Sequence, residues 1–460
     1  MVNEARVLCQ KYLYSKTKTQ IMGDRRKFIK NLGVASLATT LPIGQLSAAQ
    51  KKGRDKTLKV GLIGVHGMGW ADLKSFLKNP GTECIALCDV DEMLLNQRAD
   101  ALETETGRRP STFNDHRELL KAKDLTAVFI GTPDHWHCIQ MIDACAAGKD
   151  VYVEKPIANS IFEADLMVSA ARKYNRVVQV GQWQRSDPHW ASALEYLNSG
   201  TLGKIRQVKA WADVNYGRGF DVVPDTEAPV GVDYDRWLGP APNRPFNPNR
   251  FHGTFRYFWD YAGGLMTDWG VHMIDMVLAG MNASAPKSVV AIGGKLAFPR
   301  DAAETPDTLT TVYDFGDFSL IWEQFMAMGT SPYLEESGEP GVAFIGENGI
   351  LAINRASWKV LPLVENGKYL TESLPPRSSN SNGLDAHTRN FYECLMNRND
   401  PNCTIEMGRN AALVAHLGNI AFRTGKKLEW DDQKGTITNE TEAMNFLKPT
   451  YRPPWAMWEG

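Results

Sequence analysis

Leu58-Lys59-Val60-Gly61-Leu62-Ile63-Gly64 is an apolar run closed by a glycine, and Gly67 and Gly69 follow within five residues of it. No other stretch constrains the fold as much. Such a run reads as a parallel strand buried on both faces, and its glycine-rich turn opens a helix expected to begin near Trp70. At a turn of this kind, backbone N–H groups and the helix dipole can meet a pyrophosphate. The spacing is GxxGxG, with His66 where the usual fingerprint has its second glycine, so the close backbone approach is left to Gly67, Met68 and Gly69. A second strand, Cys84-Ile85-Ala86-Leu87-Cys88, ends in Asp89, about 25 residues past Gly64, where a carboxylate accepts hydrogen bonds from ribose hydroxyls and repels a 2′-phosphate. Val90-Asp91 follows with no Arg or Lys in the turn, which favours NAD over NADP.

The alternation continues. Ala127-Val128-Phe129-Ile130-Gly131-Thr132-Pro133 is a strand and turn, a helix is expected around 139–147, and Asp150-Val151-Tyr152-Val153-Glu154-Lys155-Pro156 is the next strand and turn. A helix over 161–173 then leads to Val177-Val178-Gln179-Val180-Gly181. Strands alternating with helices predict an α/β, doubly wound parallel sheet of the Rossmann type. Ligands bind beyond the carboxyl ends of such strands, where Asp89, Thr132, Pro133, Glu154, Lys155 and Gln182 fall.

The rest of the composition narrows the class. With 460 residues, 43% hydrophobic content and a net charge of −2, two or three globular domains are expected. The absence of a basic block past the leader argues against a nucleic-acid partner, and the absence of an apolar run of about 18 residues argues against a membrane span. The seven cysteines include no CxxC pair, so no metal is expected. Cys84 and Cys88 would lie roughly 13 Å apart on one strand, too far for a disulfide. The thirteen tryptophans suit sugar stacking, cores and oligomer contacts alike.

Residues 1–49 read as a signal peptide, with Met22 an alternative start. Asp24-Arg25-Arg26-Lys27-Phe28 precedes a weakly apolar stretch and the small residues Ser47-Ala48-Ala49, the order of a twin-arginine (Tat) export signal. A periplasmic location is expected. Free NAD is not dependably supplied there, so an exported NAD enzyme should hold its cofactor tightly and reset it in each cycle.

Thr132-Pro133-Asp134-His135-Trp136-His137, Glu154-Lys155-Pro156 and Asp268-Trp269-Gly270-Val271-His272 together resemble the Gfo/Idh/MocA oxidoreductases, over about residues 57–458. Trp259-Asp260-Tyr261-Ala262-Gly263-Gly264, Leu238-Gly239-Pro240-Ala241-Pro242 and Arg452-Pro453-Pro454-Trp455 resemble a Tat-exported bacterial subgroup. The resemblance implies a Rossmann domain over 57–185 and a C-terminal α+β domain over 186–431, with a tail at 432–460. That second domain would carry an open, mostly antiparallel sheet with helices on one face. Candidate strands lie at 207–214, 288–295, 308–315, 319–327, 341–345 and 349–354, and such a sheet implies a homo-oligomer, dimer or tetramer.

Oxidising an alcohol requires a base for the hydroxyl proton while hydride leaves the carbon. Asp268 and His272 are four apart at an expected helix start, so both can share one face. A carboxylate there would favour the protonated imidazole or fix its tautomer. Lys155 could hold a developing alkoxide. The resemblance implies Lys155, Asp268 and His272 as the catalytic set, with His272 the general acid/base. The bland alternative is a capping Asp, a core His and a solvated Lys. Gly64, His66, Gly67, Met68, Gly69, Asp89, Thr132, Pro133, His135, Glu154, Lys155 and Gln182 are the expected cofactor contacts, and Arg185, Arg250, His252, Asp260 and Tyr261 the expected substrate contacts. The expected function is NAD-dependent oxidation of a sugar or polyol hydroxyl. A redox-neutral glycoside hydrolase and a non-catalytic sugar-binding protein are the alternatives.

Overall fold

A computed structural model describes residues 57–214, 219–327 and 339–460. Residues 1–49, expected to be an export signal, lie outside the described residues. Strands β1 (Leu58–Ile63), β2 (Thr82–Cys88), β3 (Ser111–Phe113), β4 (Ala127–Ile130), β5 (Asp150–Val153) and β6 (Val178–Val180) form a parallel sheet in the order β3-β2-β1-β4-β5-β6. This is the doubly wound order, with its switch point between β1 and β4. The apolar runs follow from burial on both faces. Val60 and Leu62 pack with Phe76, Phe129 and Tyr152, while Ile63, Val128 and Val153 enter the opposite core.

Helices α1 (Gly67–Phe76), α2 (Glu92–Thr106), α3 (His116–Leu120), α4 (Asp134–Ala146) and α5 (Ile161–Lys173) cover the sheet. Two of them begin earlier than expected. Helix α1 starts at Gly67 rather than Trp70, because the glycines let the turn run directly into the first helical residue. Helix α4 starts at Asp134 rather than near 139. Pro133 stands at its N-cap and Asp134 in its first turn, an acid that complements the helix dipole. The motif from Asp134 to His137 is therefore helical.

Helix α6 (Pro188–Asn198) leads into β7 (Ile205–Asp213), and after the short α7 (Tyr234–Leu238), α8 (Gly264–Asp268) and α9 (Gly270–Met281) come β8 (Ser288–Gly294), β9 (Thr308–Asp314), β10 (Ser319–Phe325), β11 (Gly341–Gly346), β12 (Gly349–Asn354), β13 (Ser357–Pro362), the hairpin β14 (Val364–Glu365) and β15 (Lys368–Tyr369), and β16 (Leu374–Ser378). With β17 (Leu428–Asp431) and β18 (Thr436–Ile437) these strands, the β14–β15 hairpin excepted, make one ten-stranded sheet, β16-β13-β12-β11-β7-β10-β9-β8-β17-β18. Only the β7–β10 pairing within it is parallel among the strand pairs described. Strict alternation along β10 buries Leu320 and Trp322 against α9 residues such as Ile274 and Leu278, the pattern of a sheet covered on one face. Val290, Ile292 and Val312 are exposed on other positions of β8 and β9.

The chain then returns to the first sheet. Helix α10 (Gly383–Asn397) puts Phe391, Cys394 and Leu395 into the core of Val60, Leu62 and Tyr152, and the N-terminal turns of α11 (Ile405–Thr424) put Ile405 and Ala412 against Val178 and Val180. The Val180 N–H donates to Cys403 O at 3.1 Å, and Arg398 Nη2 donates to Asp150 Oδ1 at 3.0 Å. Residues 383–424, expected within the second domain, thus also complete the first. The segment expected as a tail from 432 includes one last short strand, since β18 pairs with β17 through Trp430 and Ile437. Strands β13, β16, β17 and β18 were not expected; the last three are short or carry few apolar residues.

Replacing fully buried Trp322 by Ala should cost about 3–5 kcal/mol, the usual range for an aromatic core truncation, and urea denaturation should show the midpoint falling accordingly.

Candidate active site

A cleft opens at the carboxyl ends of β1, β2, β4 and β5, walled on its far side by Trp237, Phe251, His252, Phe255, Arg256 and Trp455. Its floor is backbone. A Cβ on Gly64 would lie 2.7 Å from Gly131 C and Thr132 N, and one on Gly69 would lie 2.5 Å from Gly64 O. No side chain fits where these three segments meet. His66 is the N-cap of α1 and donates or accepts no capping bond to its first turn, so the N–H groups there are left for a ligand. Asp89 closes the adjacent corner. Its Oδ2 accepts the Val65 N–H at 2.8 Å and its Oδ1 the Asp91 N–H at 3.1 Å, while burial raises its carboxyl. A bare backbone cradle beside an acid at the end of β2 fits a dinucleotide.

The His66 side chain is engaged by a residue of the far wall. Its ring stacks on His252 with centroids 4.9 Å apart, and His252 Nε2 lies 3.5 Å from Asp91 Oδ2. His252 has φ of 51°, a conformation that costs a non-glycine residue of order 1 kcal/mol or more. At the end of β4, the Thr132 hydroxyl donates to Gln140 Oε1 at 2.7 Å. The His137 ring nitrogens lie 2.7 and 2.8 Å from the carbonyl oxygens of Thr132 and Pro156, joining the β4 and β5 turns.

Lys155, one residue past Glu154 at the end of β5, lies on the cleft wall. Its Nζ donates to Asp268 Oδ1 at 2.7 Å and to Asp268 O at 3.2 Å. Arg256 Nε stands 3.3 Å from the same Oδ1. Burial would raise the Asp268 carboxyl, but Lys155 and Arg256 hold it well below the ordinary carboxylate range. Two other acids on the wall behave oppositely. Burial pushes Asp134 up to about 8 and Glu154 up to about 7, against the pull of Arg256 and Lys155 respectively. Asp268 is thus the anion of the group near neutral pH.

His272 contradicts the expectation of a carboxylate-supported imidazolium. Burial, then the cations of Lys155 and Arg355, drive its pKa well below 6.5, and Asp268 only partly opposes them. Its Nδ1 has no hydrogen-bond partner among the described residues; Asp268 bonds to Lys155 instead. The two also do not sit on one helix. Asp268 ends α8 and His272 lies in the first turn of α9, with Trp269 at the junction. His272 is buried, with its ring 5.9 Å from that of Trp269, and close enough to Lys155 and Asp268 for their charges to act on it. The Arg355 guanidinium lies 4.5 Å from the ring centres of both Trp183 and Trp269.

Gly64, His66, Gly67, Met68, Asp89, Thr132, Pro133, Glu154, Lys155 and His252 line the cleft together. Other expected contacts point elsewhere. The His135 ring turns into Trp237 and Tyr261, with Nε2 3.1 Å from Trp237 O. Gln182 donates to Val271 O and accepts from Cys403 Sγ. Arg185 grips Asp275, with Nε 2.8 Å from Oδ2 and Nη2 2.7 Å from Oδ1, and Arg250 Nη2 pairs with Asp225 at 2.8 Å. Asp260 pairs with Arg244, and Tyr261 is fully buried. The physical reason is common to them: each finds a partner or a core position inside the protein. Sequence reasoning passed over Asp134, Trp136, Arg256 and Trp455, all on the wall. Asp134 and Trp136 stood within a quoted motif; Arg256 had no local signal.

Because Lys155 disfavours the imidazolium and Asp268 favours it, Lys155→Met should raise the His272 pKa and Asp268→Asn should lower it further. NMR titration of the imidazole C–H resonances would read both shifts, and a shift of the same sign in the two variants would contradict the arrangement.

Residues 58–182 match the oxidoreductase family's NAD-binding Rossmann fold, and 201–335 match its C-terminal alpha/beta domain. An uncharacterized oxidoreductase, YrbE, of Bacillus subtilis is 25% identical over 293 residues, 63% of this chain and 73% of that protein. Inositol 2-dehydrogenase of Rubrobacter xylanophilus is 28% identical over 192 residues, 41% of this chain and 54% of the enzyme. A glycosyl hydrolase family 109 protein of Shewanella pealeana is 28% identical over 169 residues, 33% of this chain. The chain spans only 37% of that protein's length. Levoglucosan dehydrogenase in complex with NADH superposes with a TM-score of 0.62 at 18% identity, covering 81% of this chain and 98% of that one. Aldose-aldose oxidoreductase from Caulobacter crescentus gives 0.60 at 16%, covering 82% and 100%. These two structures share the fold. With both of its domains matched in order, the chain belongs to the Gfo/Idh/MocA oxidoreductase family, and its first sheet is that family's NAD-binding Rossmann domain.

Proposed function

We propose that this oxidoreductase acts on a hydroxyl of a carbohydrate or polyol and keeps its NAD(H) bound through the cycle. The observation that carries the reading is the buried cluster of an ammonium, a carboxylate and a neutral imidazole, Lys155, Asp268 and His272. When bound, NAD supplies the hydride acceptor. The chain's own groups handle the proton and the oxygen. Asp268 fixes the Lys155 ammonium at 2.7 Å, where it can polarise the substrate oxygen and hold negative charge as it develops. His272, kept neutral by burial and by neighbouring cations, is the acceptor of the hydroxyl proton. Arg256 and neutral Asp134 give the wall a hydrogen-bonding surface for further hydroxyls.

Retention of the cofactor follows from the twin-arginine leader, which we read as sending the protein to the periplasm. Similarity to glycosyl hydrolase family 109 proteins supports a second reading: oxidation at a ring carbon, loss of the acidified proton from the neighbouring carbon with departure of the glycosidic group from the carbon beyond it, addition of water to the double bond so formed, and final reduction, with no net redox change. Aglycone release without NADH accumulation selects this reading, and an oxidised sugar formed together with reduction of a second carbonyl substrate selects the oxidoreductase.

Denaturing the purified protein and weighing the released dinucleotide by mass spectrometry should give stoichiometric NAD(H). Protein that carries none and takes up only NADP would overturn both the retention and the role of Asp89. His272→Asn should lower kcat by about 10²- to 10⁴-fold, the usual contribution of a positioned acid–base group, while bound NAD stays the same. Because the His272 pKa is depressed, its base form persists to lower pH. The acid limb of kcat/KM should therefore lie below the ordinary imidazole value of 6.5.

A further inference from the structure

The last residues of the chain do not trail away from the NAD domain. The Phe162 N–H at the start of α5 donates to Leu447 O at 3.0 Å, and the Tyr451 hydroxyl donates to Glu163 Oε1 at 2.5 Å. Glu163 is buried, and its other oxygen accepts from Ser160 Oγ at 2.7 Å. Arg452 binds α7 and the segment just after it through four contacts. Its backbone N–H meets Pro240 O at 2.9 Å, Nε meets Gly239 O at 3.1 Å, and Nη1 and Nη2 meet Asp235 Oδ1 and O at 2.6 and 2.9 Å. The tail is thereby strapped from α5 across to the segment around Gly239.

What the strap delivers is Trp455. Its ring stands edge-on to Trp136 at 4.8 Å, carries the Arg117 guanidinium at 5.2 Å, and lines the same cleft as Asp89, Asn114, Asp115 and Thr132. Trp136 is itself held in place: its Nε1 donates to Trp237 O at 3.0 Å, and Gly239, at φ of 50°, leaves no room for a Cβ against its indole. Arg117 comes from α3, which follows β3, and Asp89 ends β2. In this strand order the β2–β3 side receives the adenosine half of a dinucleotide, and the β4–β6 side the nicotinamide half.

We propose that Trp455, delivered by the C-terminal strap, is a wall of the adenine subsite and sets how long the dinucleotide stays. Indole and adenine are both flat and polarizable, and a base stacked on an aromatic side chain loses about tenfold in affinity or more when that side chain is cut to alanine. The inference depends on NAD binding by the Rossmann domain and not on the substrate, so binding measurements without turnover test it whatever the enzyme oxidises.

The test uses the intact protein loaded with NADH, read by nicotinamide fluorescence, with ADP-ribose and NMNH as competing halves. Trp455→Ala should speed NADH release and weaken ADP-ribose about tenfold, and leave NMNH within twofold of the parent. Trp455→Phe, which keeps an aromatic face and disturbs packing least, should lose less than Trp455→Ala. Tyr451→Phe, which only loosens the strap, should speed NADH release in the same direction. ADP-ribose binding unchanged in Trp455→Ala would overturn the proposal, as would equal weakening of ADP-ribose and NMNH. If Trp455→Ala does not fold, Trp455→Phe and Tyr451→Phe carry the decision, and unchanged NADH release in both overturns it.

Discussion

The contact between Lys155 Nζ and Asp268 Oδ1 joins the carboxyl end of β5 to the end of α8, and the electrostatics of the cleft depend on it. A buried ion pair is costly to assemble, because both ions give up water. Here the cost is moderated by a second cation, Arg256, and by the Asp268 carbonyl, which also accepts from Lys155. With that charge balance set, the two acids near it, Asp134 and Glu154, are still pushed upward by burial. His272, with two cations near it, is held neutral. One carboxylate is charged, two carboxyls titrate near neutrality, and the imidazole is a base rather than an acid.

The elements that carry this pair are also fastened together elsewhere. Helix α10 seats Phe391 in the core of the parallel sheet, and Arg398 and Asp150 tie its C-terminal end to the start of β5. The backbone of β6 continues its hydrogen bonding to Cys403. Residues late in the chain thus finish the nucleotide domain, so the ends of β4 and β5 are held against α8 and α9. The same logic extends to the tail, where Tyr451 and Arg452 bind different elements of the molecule and carry Trp455 to the cleft.

Glycine contacts show the same interdependence at shorter range. Gly64, Gly69 and Gly131 come from three segments, and the absence of a Cβ on each lets their backbones touch. Gly181 has a comparable role, since a Cβ there would overlap the Glu154 carboxylate. The dinucleotide floor and the acid beside Lys155 are therefore both built on missing side chains.

Much of this was legible in the residues themselves. The runs around Val60, Val128 and Val151 announce strands buried on both faces, because a parallel sheet covered by helices admits no polar face. Asp89, the Gly64 turn and Glu154-Lys155-Pro156 locate the cleft because strand ends are set by local pattern. The alternation in β9 and β10 likewise reveals a sheet with one covered face. What the sequence alone determined, then, was the order of elements and which strand ends carry polar groups, since periodicity and turn chemistry are local. Only the tertiary structure decided which of those groups meet. Asp268 turned to Lys155 instead of His272, because a helix break at Trp269 separated them and a buried ammonium needed a counter-ion. Arg256 and Trp455 reached the wall from distant segments, and His135, Gln182 and Arg185 were taken up by interior partners. Ionisation and contact across the cleft depend on burial and on charges far apart in the chain, and neither is written in any local pattern.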